Sequence, residues 1–531
     1  DRIQLTKQTS ESYRAYDPEA DMTMFSRLGS IADTENTNDL NRQLKSKGSN
    51  IIVTSVQKLN TLVSRKSFKL PDKNYVFIVD EAHRSTGGES FDLIQKAFKG
   101  AAWVGYTGTP MFDDTTRGLR TKDIFGPLLH AYTIREAIAD QNVLGFKVDF
   151  QTTISEKEMR ESYLPEYYRQ HHPDWTNEEI QHKIDNLTVE DIDDTIEPSF
   201  YDNNEEHVKL VVEDIFKNWR NRSVDGKYNA LLTTHVGGNR PSTPMAMMYF
   251  KEFQRINDER RVKGLSTLKV AITYSLNTSN SDYMVDSNND LLQAMFIYNE
   301  EFGTSFGLAD YAAYTQDVIS RLQKTNTDGN FLDVVIVVDQ LLTGFDAPQL
   351  NTLYVDRILR SHSLIQAYSR TNRIADLLTK PFGRIINYRW PSINENLMNE
   401  ALAIYANKDS AMLSDEERKR SNEKDGIIAI NFEELLLETQ GLVNELRRLS
   451  NDFNEWAPSE QDKENAFSIL QAYNKNLEKL KQYDVKEGEC LSISVGDEDI
   501  LMEEGFDYDD PDTLIKALGM DVQEEKNLST F

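Results

Sequence analysis

Short apolar runs alternate with segments of helical periodicity over the first 390 residues of the chain. Fully apolar runs of this length, separated by helix-length segments, are typical of parallel strands that are buried on both faces. The predicted strands are 51–53, 75–79, 103–106, 230–233, 269–274, 334–338, 353–355 and 385–388. The pattern therefore predicts an α/β fold built on parallel sheets.

The same pattern divides the chain into four parts. A helix with apolar residues from Val208 to Trp219 follows the candidate caps Asn203 and Asn204 and leads into a second α/β unit. The preceding stretch is polar and is interpreted as a connector or an insertion rather than a core. The last part has long helical periodicity without convincing strands. We therefore predict a first unit at 1–152, a connector or insertion at 153–205, a second unit at 206–390 and an all-α domain at 391–531.

Composition and charge narrow the class of protein. The 531 residues are 39% hydrophobic and 27% charged, which is ordinary for folded domains and excludes global disorder. The net charge is −28, and residues 391–531 hold 33 acidic and 14 basic side chains, which is −19 of that total. The first 390 residues therefore carry only −9. This near balance leaves room for a basic track that binds DNA, whereas indiscriminate coating of nucleic acid is disfavoured.

A single cysteine, Cys490, indicates a reducing compartment, since it cannot form an internal disulfide. No apolar run approaches the roughly 20 residues that a membrane helix needs. We expect a cytoplasmic protein.

The strongest candidate for chemistry is Asp80-Glu81-Ala82-His83, which follows an apolar strand. Adjacent carboxylates at the carboxyl end of a parallel strand lie where α/β proteins bind ligands. In a nucleotide hydrolase, the first carboxylate holds Mg²⁺ and the second orients or deprotonates the attacking water. The alternative is an acidic cap on the next helix.

Two further stretches have weaker signals. Thr107-Gly108-Thr109-Pro110 follows the next strand and suits a coupling element, although alone it is simply a good turn. Arg370 and Arg373 are three residues apart and share a face if the segment is helical, where two guanidinium groups suit phosphate. A solvated arginine face is the alternative.

In order and spacing, these elements resemble the motifs of superfamily 2 helicases and translocases, including the sequence of a DEAH box. The resemblance covers motif II at 80–83, motif III at 107–110, motif V at 343–348 and motif VI at 366–373. The sequence of these motifs is most similar to that of the restriction (motor) subunit of type I restriction-modification enzymes. That resemblance implies two RecA-like lobes, ATP and Mg²⁺ as cofactors, double-stranded DNA as the track, and the modification (methyltransferase) and specificity subunits as partners in a bacterial or archaeal cytoplasm.

The resemblance also implies roles for individual residues. Asp80 would coordinate Mg²⁺ and Glu81 would activate water, with Arg370 and Arg373 as further catalytic residues and Arg373 as the arginine finger. Nucleotide binding or coupling to DNA is implied for His83, Thr107, Thr109, Gly344, Asp346 and Gln366. Contacts with DNA phosphates are implied for Thr54, Ser55, Gln57 and Lys58, which resemble motif Ib.

The sequence also departs from the family. A phosphate cradle that ends in Gly-Lys-Ser/Thr is missing, because the only Gly-Lys pair, Gly226-Lys227, precedes Tyr228. No set of carboxylates and lysine typical of the family's N-terminal nuclease was found. We therefore expect a fragment with a truncated first lobe, without motif I or the nuclease, and inactive alone. The intact subunit would be an ATP-dependent site-specific deoxyribonuclease that translocates DNA.

Two alternatives stay open. The chain could be a non-catalytic, helicase-like assembly module that docks through its acidic helical tail. It could also be another superfamily 2 DNA translocase, such as a type III restriction enzyme or a repair helicase. A Gly-Lys-Ser/Thr sequence upstream of Asp1 would favour the motor over the assembly module.

Overall fold

The computed structural model describes residues 13, 15, 31–34, 36–46, 51–82, 89–110, 121–154, 156–234, 243–273, 283–338, 340–342, 346–406, 413–454, 459–496 and 498–530. The chain forms two compact units. Unit 1 comprises Asp1–Tyr132 and Leu341–Phe345, and unit 2 comprises Thr133–Gln340 and Asp346–Phe531. The division thus falls after Tyr132 and not at 152, and no division falls at 390.

Unit 1 contains two pairs of short parallel strands with helices packed against them. Strand β1 (Ile31–Asp33) pairs with β2 (Ile51–Val53), and β3 (Val76–Val79) pairs with β4 (Ala102–Gly105). The helices are α1 (Thr37–Leu44), α2 (Val56–Val63), α3 (Glu89–Ala97) and α4 (Thr121–Phe125). Apolar side chains of α1, α2 and α3 form its core.

Strand β3 of unit 1 is buried on one face only. Phe77 stacks on Trp103 with ring centroids 4.1 Å apart. Val76 and Ile78, which point to the opposite face because side chains alternate along a strand, are 66% and 59% exposed. The expectation of strands covered on both faces is therefore wrong for β3.

Unit 2 is built on a six-stranded, wholly parallel sheet in the order β5-β10-β9-β6-β8-β7. Its strands are β5 (Gly145–Phe150), β6 (Asn229–Thr234), β7 (Val270–Thr273), β8 (Val334–Val337), β9 (Leu350–Asp356) and β10 (Phe382–Asn387). Every residue of β6 to β10 is buried. The predicted parallel-sheet α/β fold is confirmed here.

Strand β5 explains why the predicted boundary at 152 is wrong. It pairs with β10 from Gly145 opposite Phe382 to Phe150 opposite Asn387. The first strand of this sheet along the chain therefore lies at its edge and meets a partner that comes much later in the sequence. Hydrophobic pattern alone carries no information on such a pairing.

Fifteen segments of helix or helical turn surround and connect these strands in the described part of residues 133–405. They are α5 (Ile134–Ala139), α6 (Glu156–Glu158), a π-helical turn (Met159–Tyr163), α7 (Leu164–His171), α8 (Asn177–Asp185), α9 (Val189–Thr195), a 3-10 turn (Pro198–Phe200), α10 (Glu205–Lys217), α11 (Trp219–Ser223), α12 (Thr243–Val262), α13 (Tyr283–Phe302), a 3-10 turn (Leu308–Asp310), α14 (Tyr311–Leu322), α15 (Ser361–Tyr368) and α16 (Pro391–Tyr405). Asn204 caps α10, as predicted, by accepting hydrogen bonds from the backbone of Glu206 and His207. Among the described residues, no helix has both the length and the apolar character to cross a bilayer.

The polar stretch 153–205 has a core of its own, contrary to expectation. Leu164, Ile184 and Tyr201 are fully buried in a cluster that also contains Trp390. The carboxylate of Asp193 accepts hydrogen bonds from the backbone N–H groups of Ser392 and Ile393, at 2.7 and 3.3 Å, and so caps α16. The insertion is thereby fixed to the chain that follows β10.

The C-terminal part contains a β-hairpin, so the prediction of an all-α domain is wrong. Its elements are α17 (Asp415–Lys424), α18 (Phe432–Leu449), α19 (Glu460–Leu480), β11 (Lys486–Val495), β12 (Glu498–Glu504), α20 (Pro511–Ala517) and α21 (Val522–Thr530). Strands β11 and β12 are antiparallel. Ile493 and Met502 face the core, while the charged residues between apolar positions face solvent and obscure the alternation in the sequence.

Buried ion pairs join this C-terminal part to the large sheet. Asp484 pairs with Arg222 at 2.9 Å and with Arg384 of β10 at 3.2 Å, and both arginine side chains are fully buried. Phe146 of β5 forms a parallel bridge with Ile428. These contacts explain why the structure shows no separate domain that begins at 391.

Candidate functional site

The predicted carboxylate pair lies at the carboxyl end of β3 in unit 1. The backbone N–H of Glu81 donates to Asp80 Oδ1 at 2.9 Å, and Glu81 adopts a left-handed backbone conformation with φ of 51°. Ala82 is fully buried and its N–H donates to the Tyr106 carbonyl at 2.9 Å. The next described helix begins at Glu89, and residues 83–88 lie outside the described residues, so the alternative of an acidic helix cap is not tested.

The structure brings Thr107 and Thr109 to the same edge of this strand pair. The Tyr106 N–H donates to the Val79 carbonyl at 2.8 Å, which continues the pairing beyond β3 and β4. Thr107 Oγ1 accepts a hydrogen bond from the Thr109 N–H at 3.1 Å, and Thr109 is 2% exposed. The segment is a side-chain-stabilised turn, as the simple alternative predicts, and it is also held against the carboxylate segment.

The donor set at this edge suits a Mg²⁺ ion that is bound mainly through a nucleotide. Asp80 is exposed, and a carboxylate is a hard oxygen ligand of the kind that Mg²⁺ prefers. Among the described residues, no group of three or more His, Cys, Asp or Glu side chains could hold a metal. Mg²⁺ commonly needs only one or two carboxylates when substrate phosphates and water complete its shell. His83 and Gly344, two further predicted residues, lie outside the described residues.

The predicted DNA-contacting segment begins α2, and two of its residues already have structural partners. Ser55 caps α2 by accepting a hydrogen bond from the Lys58 N–H at 3.3 Å. The Lys58 ammonium donates to the Thr34 carbonyl. Gln57 is exposed, and Thr54 Oγ1 is buried without a hydrogen-bond partner among the described residues.

In unit 2, the arginine segment is not helical, which corrects the argument that placed both arginines on one helix face. Helix α15 ends at Tyr368, and Thr371 Oγ1 donates to the Tyr368 carbonyl at 2.8 Å. Arg370 Nε donates to the carbonyl of Gln366, itself a buried residue, at 3.1 Å. Both side chains satisfy carbonyls that a helix end leaves without intrahelical partners.

The structure brings Arg373 and Asp346 together. Arg373 Nε lies 3.2 Å from Asp346 Oδ1, which is close enough for an ion pair, although the two are not aligned as a hydrogen bond. The side chains are 42% and 44% exposed. The Asn372 carbonyl accepts from Leu144, next to the start of β5, so this segment lies at the amino ends of the strands. Ligands of open α/β sheets usually bind at the opposite edge.

A buried lysine beside this pair was missed by the sequence analysis. Lys380 is fully buried, and its ammonium donates to the carbonyls of Pro348, Leu350 and Arg373 at 2.7, 2.8 and 2.8 Å. Burial lowers the pKa of Lys380 to about 7, and the nearby Asp346 opposes that shift. A lysine two residues before a strand gives no signal of burial in the sequence.

A second missed group lies at the carboxyl ends of β9 and β10. Asp356 Oδ1 is 2.7 Å from His207 Nε2 and 2.5 Å from Arg389 Nε, and all three side chains are buried. His207 Nδ1 lies 2.8 Å from Thr153 Oγ1, in the insertion. Burial opposes ionisation of Asp356, but Arg389 and His207 hold its pKa well below the usual range. This network fixes α10 and the insertion to the sheet.

Fold and site together define a parallel-sheet α/β protein with a carboxylate pair at a strand end in unit 1 and a partly exposed Arg373–Asp346 pair in unit 2. Residues 1–181 match the family model SWI2/SNF2 ATPase, and residues 226–390 match type I restriction enzyme subunit R domain 3.

Curated relatives of this chain are also subunits of type I restriction enzymes. The endonuclease subunit of a type I restriction enzyme from Staphylococcus aureus strain MSSA476 is 31% identical over 494 residues, which cover 91% of this chain and 46% of the relative. A corresponding subunit from Staphylococcus aureus strain MRSA252 is 34% identical over 396 residues, which cover 73% of this chain and 38% of the relative. The chain thus spans less than half the length of these relatives.

Among solved structures, a fragment described as an HsdR subunit of a type I restriction enzyme from Vibrio vulnificus YJ016 is 16% identical with a TM-score of 0.40. The match covers 71% of this chain and 53% of that one. On the sequence relatives, the chain is a homologue of the endonuclease subunits of type I restriction enzymes over most of its length.

Proposed function

We propose that this chain is the ATP-driven motor part of a type I restriction endonuclease subunit, which moves double-stranded DNA and delivers it for cleavage. The observation that carries the proposal is the meeting of the Asp80–Ala82 and Tyr106–Thr109 segments at the carboxyl edge of β3 and β4. The homology over most of the chain supports it. Cleavage is assigned to the nuclease domain that the family resemblance implies.

Unit 1 is proposed to carry the hydrolytic chemistry. Mg²⁺, when bound with ATP, would neutralise charge on the phosphates. Asp80 would hold that ion, because its carboxylate is exposed at the strand end. Glu81 would accept a proton from the water that attacks the γ-phosphorus, as the bond to the leaving ADP oxygen breaks. Thr107 and Thr109, which are held against this segment, would relay the nucleotide state, together with His83.

Unit 2 is proposed to supply positive charge to the phosphates. Arg373 is partly exposed and, within the part of the chain that the structure describes, pairs with the loosely aligned carboxylate of Asp346, so its guanidinium can exchange that partner for phosphate oxygens. Arg370, Gln366 and Gly344 are proposed to act beside it. Because Arg370 Nε is committed to a helix-end carbonyl, we assign the transition-state role to Arg373.

DNA and protein partners complete the proposal. Thr54, Ser55, Gln57 and Lys58 would contact DNA phosphates, which position a motor without reading sequence. The modification (methyltransferase) and specificity subunits would provide recognition of the DNA site, in the cytoplasm of a bacterium or archaeon. Deletion of 391–531 would remove Asp484, the partner of buried Arg222 and Arg384, so we expect it to unfold unit 2.

The test of this function is Glu81→Gln in the intact protein. Loss of a positioned general base should lower ATP turnover by about 10²–10⁴-fold, while the dissociation constant for ATP changes little, because the amide keeps the size of the carboxylate. The matched control is Glu300→Gln, an exposed carboxylate of α13, which should hydrolyse ATP at the wild-type rate. Undiminished turnover in the Glu81→Gln protein would rule out the assignment. It would favour the non-catalytic assembly module or another arrangement of the active site.

A further inference from the structure

The buried lysine at position 380 has a coordination that the fold alone does not require. Its ammonium has three protons and is surrounded by three backbone carbonyls, each within 2.8 Å. The side chain is fully buried. Burial of a charged amine is costly, and the cost is offset only when every donor is satisfied. An apolar side chain of similar length would avoid that cost, so a lysine at this position lowers the stability of the fold.

The three carbonyls belong to two separate stretches of chain. Leu350 is the first residue of β9, and Pro348 lies just before that strand. Arg373 lies five residues after the end of α15. Lys380 therefore ties the backbone of Arg373 to the start of β9, an interior strand of the sheet. No regular secondary structure holds Arg373, because the helix ends five residues earlier at Tyr368.

The same tether controls both partners of the exposed ion pair. Asp346 is two residues before Pro348, and its carboxylate lies 3.2 Å from Arg373 Nε. Lys380 thus fixes the backbone on each side of the pair, while leaving the Arg373 side chain 42% exposed. Gly383 adds to this constraint, since a β-carbon there would lie 2.8 Å from the Thr371 carbonyl oxygen.

We propose that Lys380 is a positioning residue that sets the place of the Arg373 guanidinium. This inference rests on the proposed function for its catalytic consequence, but the tether itself can be tested without catalysis. A displacement of about 1 Å at a group that stabilises a transition state can cost roughly 100-fold in rate. Lys380 contacts the backbone of Arg373 and no reacting atom, so its loss should affect turnover through Arg373.

The first experiment measures amide hydrogen exchange in Lys380→Met. Methionine keeps the length of the side chain and removes all three donors. Amides of residues 371–376 should exchange at least about tenfold faster than in the wild-type protein, because the tether to β9 is lost. The control is Lys269→Met, which removes an amine bonded to Asn330, far along the chain from this segment, and should leave those amides unchanged. If Lys380→Met does not fold, Lys380→Gln keeps two donor protons and takes its place.

The second experiment measures steady-state ATP hydrolysis by the intact protein. We expect Lys380→Met to lower kcat about 100-fold and to change KM by less than about twofold. The double variant with Arg373→Ala should be no slower than Arg373→Ala alone, because both substitutions remove the same interaction. Multiplicative losses would mean that Lys380 acts independently of Arg373 and would overturn the proposal.

The two readouts separate this inference from the function on which it rests. Unchanged exchange at 371–376 in the lysine variants would refute the tether whatever the protein hydrolyses. If the lysine variants exchange faster but the wild-type protein hydrolyses no ATP, the tether is supported and the motor function is rejected. Faster exchange with normal kcat would refute the positioning role.

Discussion

The ion pairs of Asp484 give the sharpest prediction about what holds unit 2 together. Asp484 lies between two fully buried arginines, at 2.9 Å from Arg222 and 3.2 Å from Arg384. We predict that Asp484→Asn strongly destabilises unit 2. The amide keeps the shape of the side chain, but it removes the negative charge that compensates both guanidinium groups.

The size of the effect follows from what each arginine retains. Arg222 keeps the carboxylate of Asp214, at 2.7 and 3.1 Å. Among the described residues, Arg384 keeps the Gln482 carbonyl and, at 3.9 Å, Asp149. Removal of one partner of a buried ion pair costs about 3–5 kcal/mol. Because only Arg384 loses its main partner, we expect about 3 kcal/mol, or a fall in Tm of roughly 6–12 °C for a domain of 150–250 residues and less for a larger one.

The chain offers a matched control in Asp509, whose partner Arg220 lies on the same helix as Arg222. Asp509 pairs with Arg220 at 3.4 Å, but its side chain is 92% exposed. Asp509→Asn should therefore cost less than about 1 kcal/mol, because an exposed pair is screened by water. Differential scanning calorimetry and urea unfolding followed by tryptophan fluorescence measure both variants. Equal losses for the two variants, or none for Asp484→Asn, would refute the view that the C-terminal part is held by buried charge.

Two further predictions concern Asp193 and Gly383. Burial raises the pKa of Asp193 to about 6, although its carboxylate accepts hydrogen bonds from two backbone N–H groups. The folded state therefore binds a proton at Asp193 more tightly than the unfolded state does. The free energy of unfolding should fall as pH rises from about 4 to 6. After allowance for partial solvation, the loss of stability amounts to about 1–2 kcal/mol. Asp193→Asn should abolish this pH-dependent loss, as measured by urea titrations at pH 4.5 and 7.5. A pH dependence equal to that of the wild type would contradict the assignment. Gly383→Ala should cost about 1–3 kcal/mol, because the new β-carbon would lie 2.7 Å from the Thr371 carbonyl carbon and the backbone must shift. Gly441→Ala, on the exposed face of α18 with open space around it, should instead stabilise by about 0.5–1 kcal/mol, and a similar change in Tm for both variants would argue against the close approach of Thr371.

The large sheet could be predicted because its strands are simple in sequence. β6, β8 and β9 are buried along their whole length, and short apolar runs record that directly. β5 contains Lys147 and Asp149, which form a mutual ion pair at 2.5 Å inside the fold. In the sequence, these charged residues are typical of an exposed segment, because their mutual ion pair is not visible there. The sequence analysis therefore does not assign β5 to the second sheet.

The candidate site was predictable where it follows strand ends and unpredictable where it depends on distant contacts. Asp80, Glu81, Thr107 and Thr109 were found because each pair follows an apolar run. Lys380 was not found, since its three acceptors are backbone carbonyls that carry no sequence signature. The condition that Arg370 and Arg373 share a helix face is not met, because the helix ends at Tyr368, where the Thr371 hydroxyl donates to the Tyr368 carbonyl.

The central claim is that this chain belongs to a motor that hydrolyses ATP when it engages DNA. The most direct measurement is steady-state ATP hydrolysis by the intact protein, with and without double-stranded DNA, for the wild type and for Arg373→Ala. We predict that DNA stimulates hydrolysis in the wild type and that the variant loses about 10³-fold or more of this activity. Hydrolysis that neither DNA nor the substitution alters, or no hydrolysis at all, would contradict it.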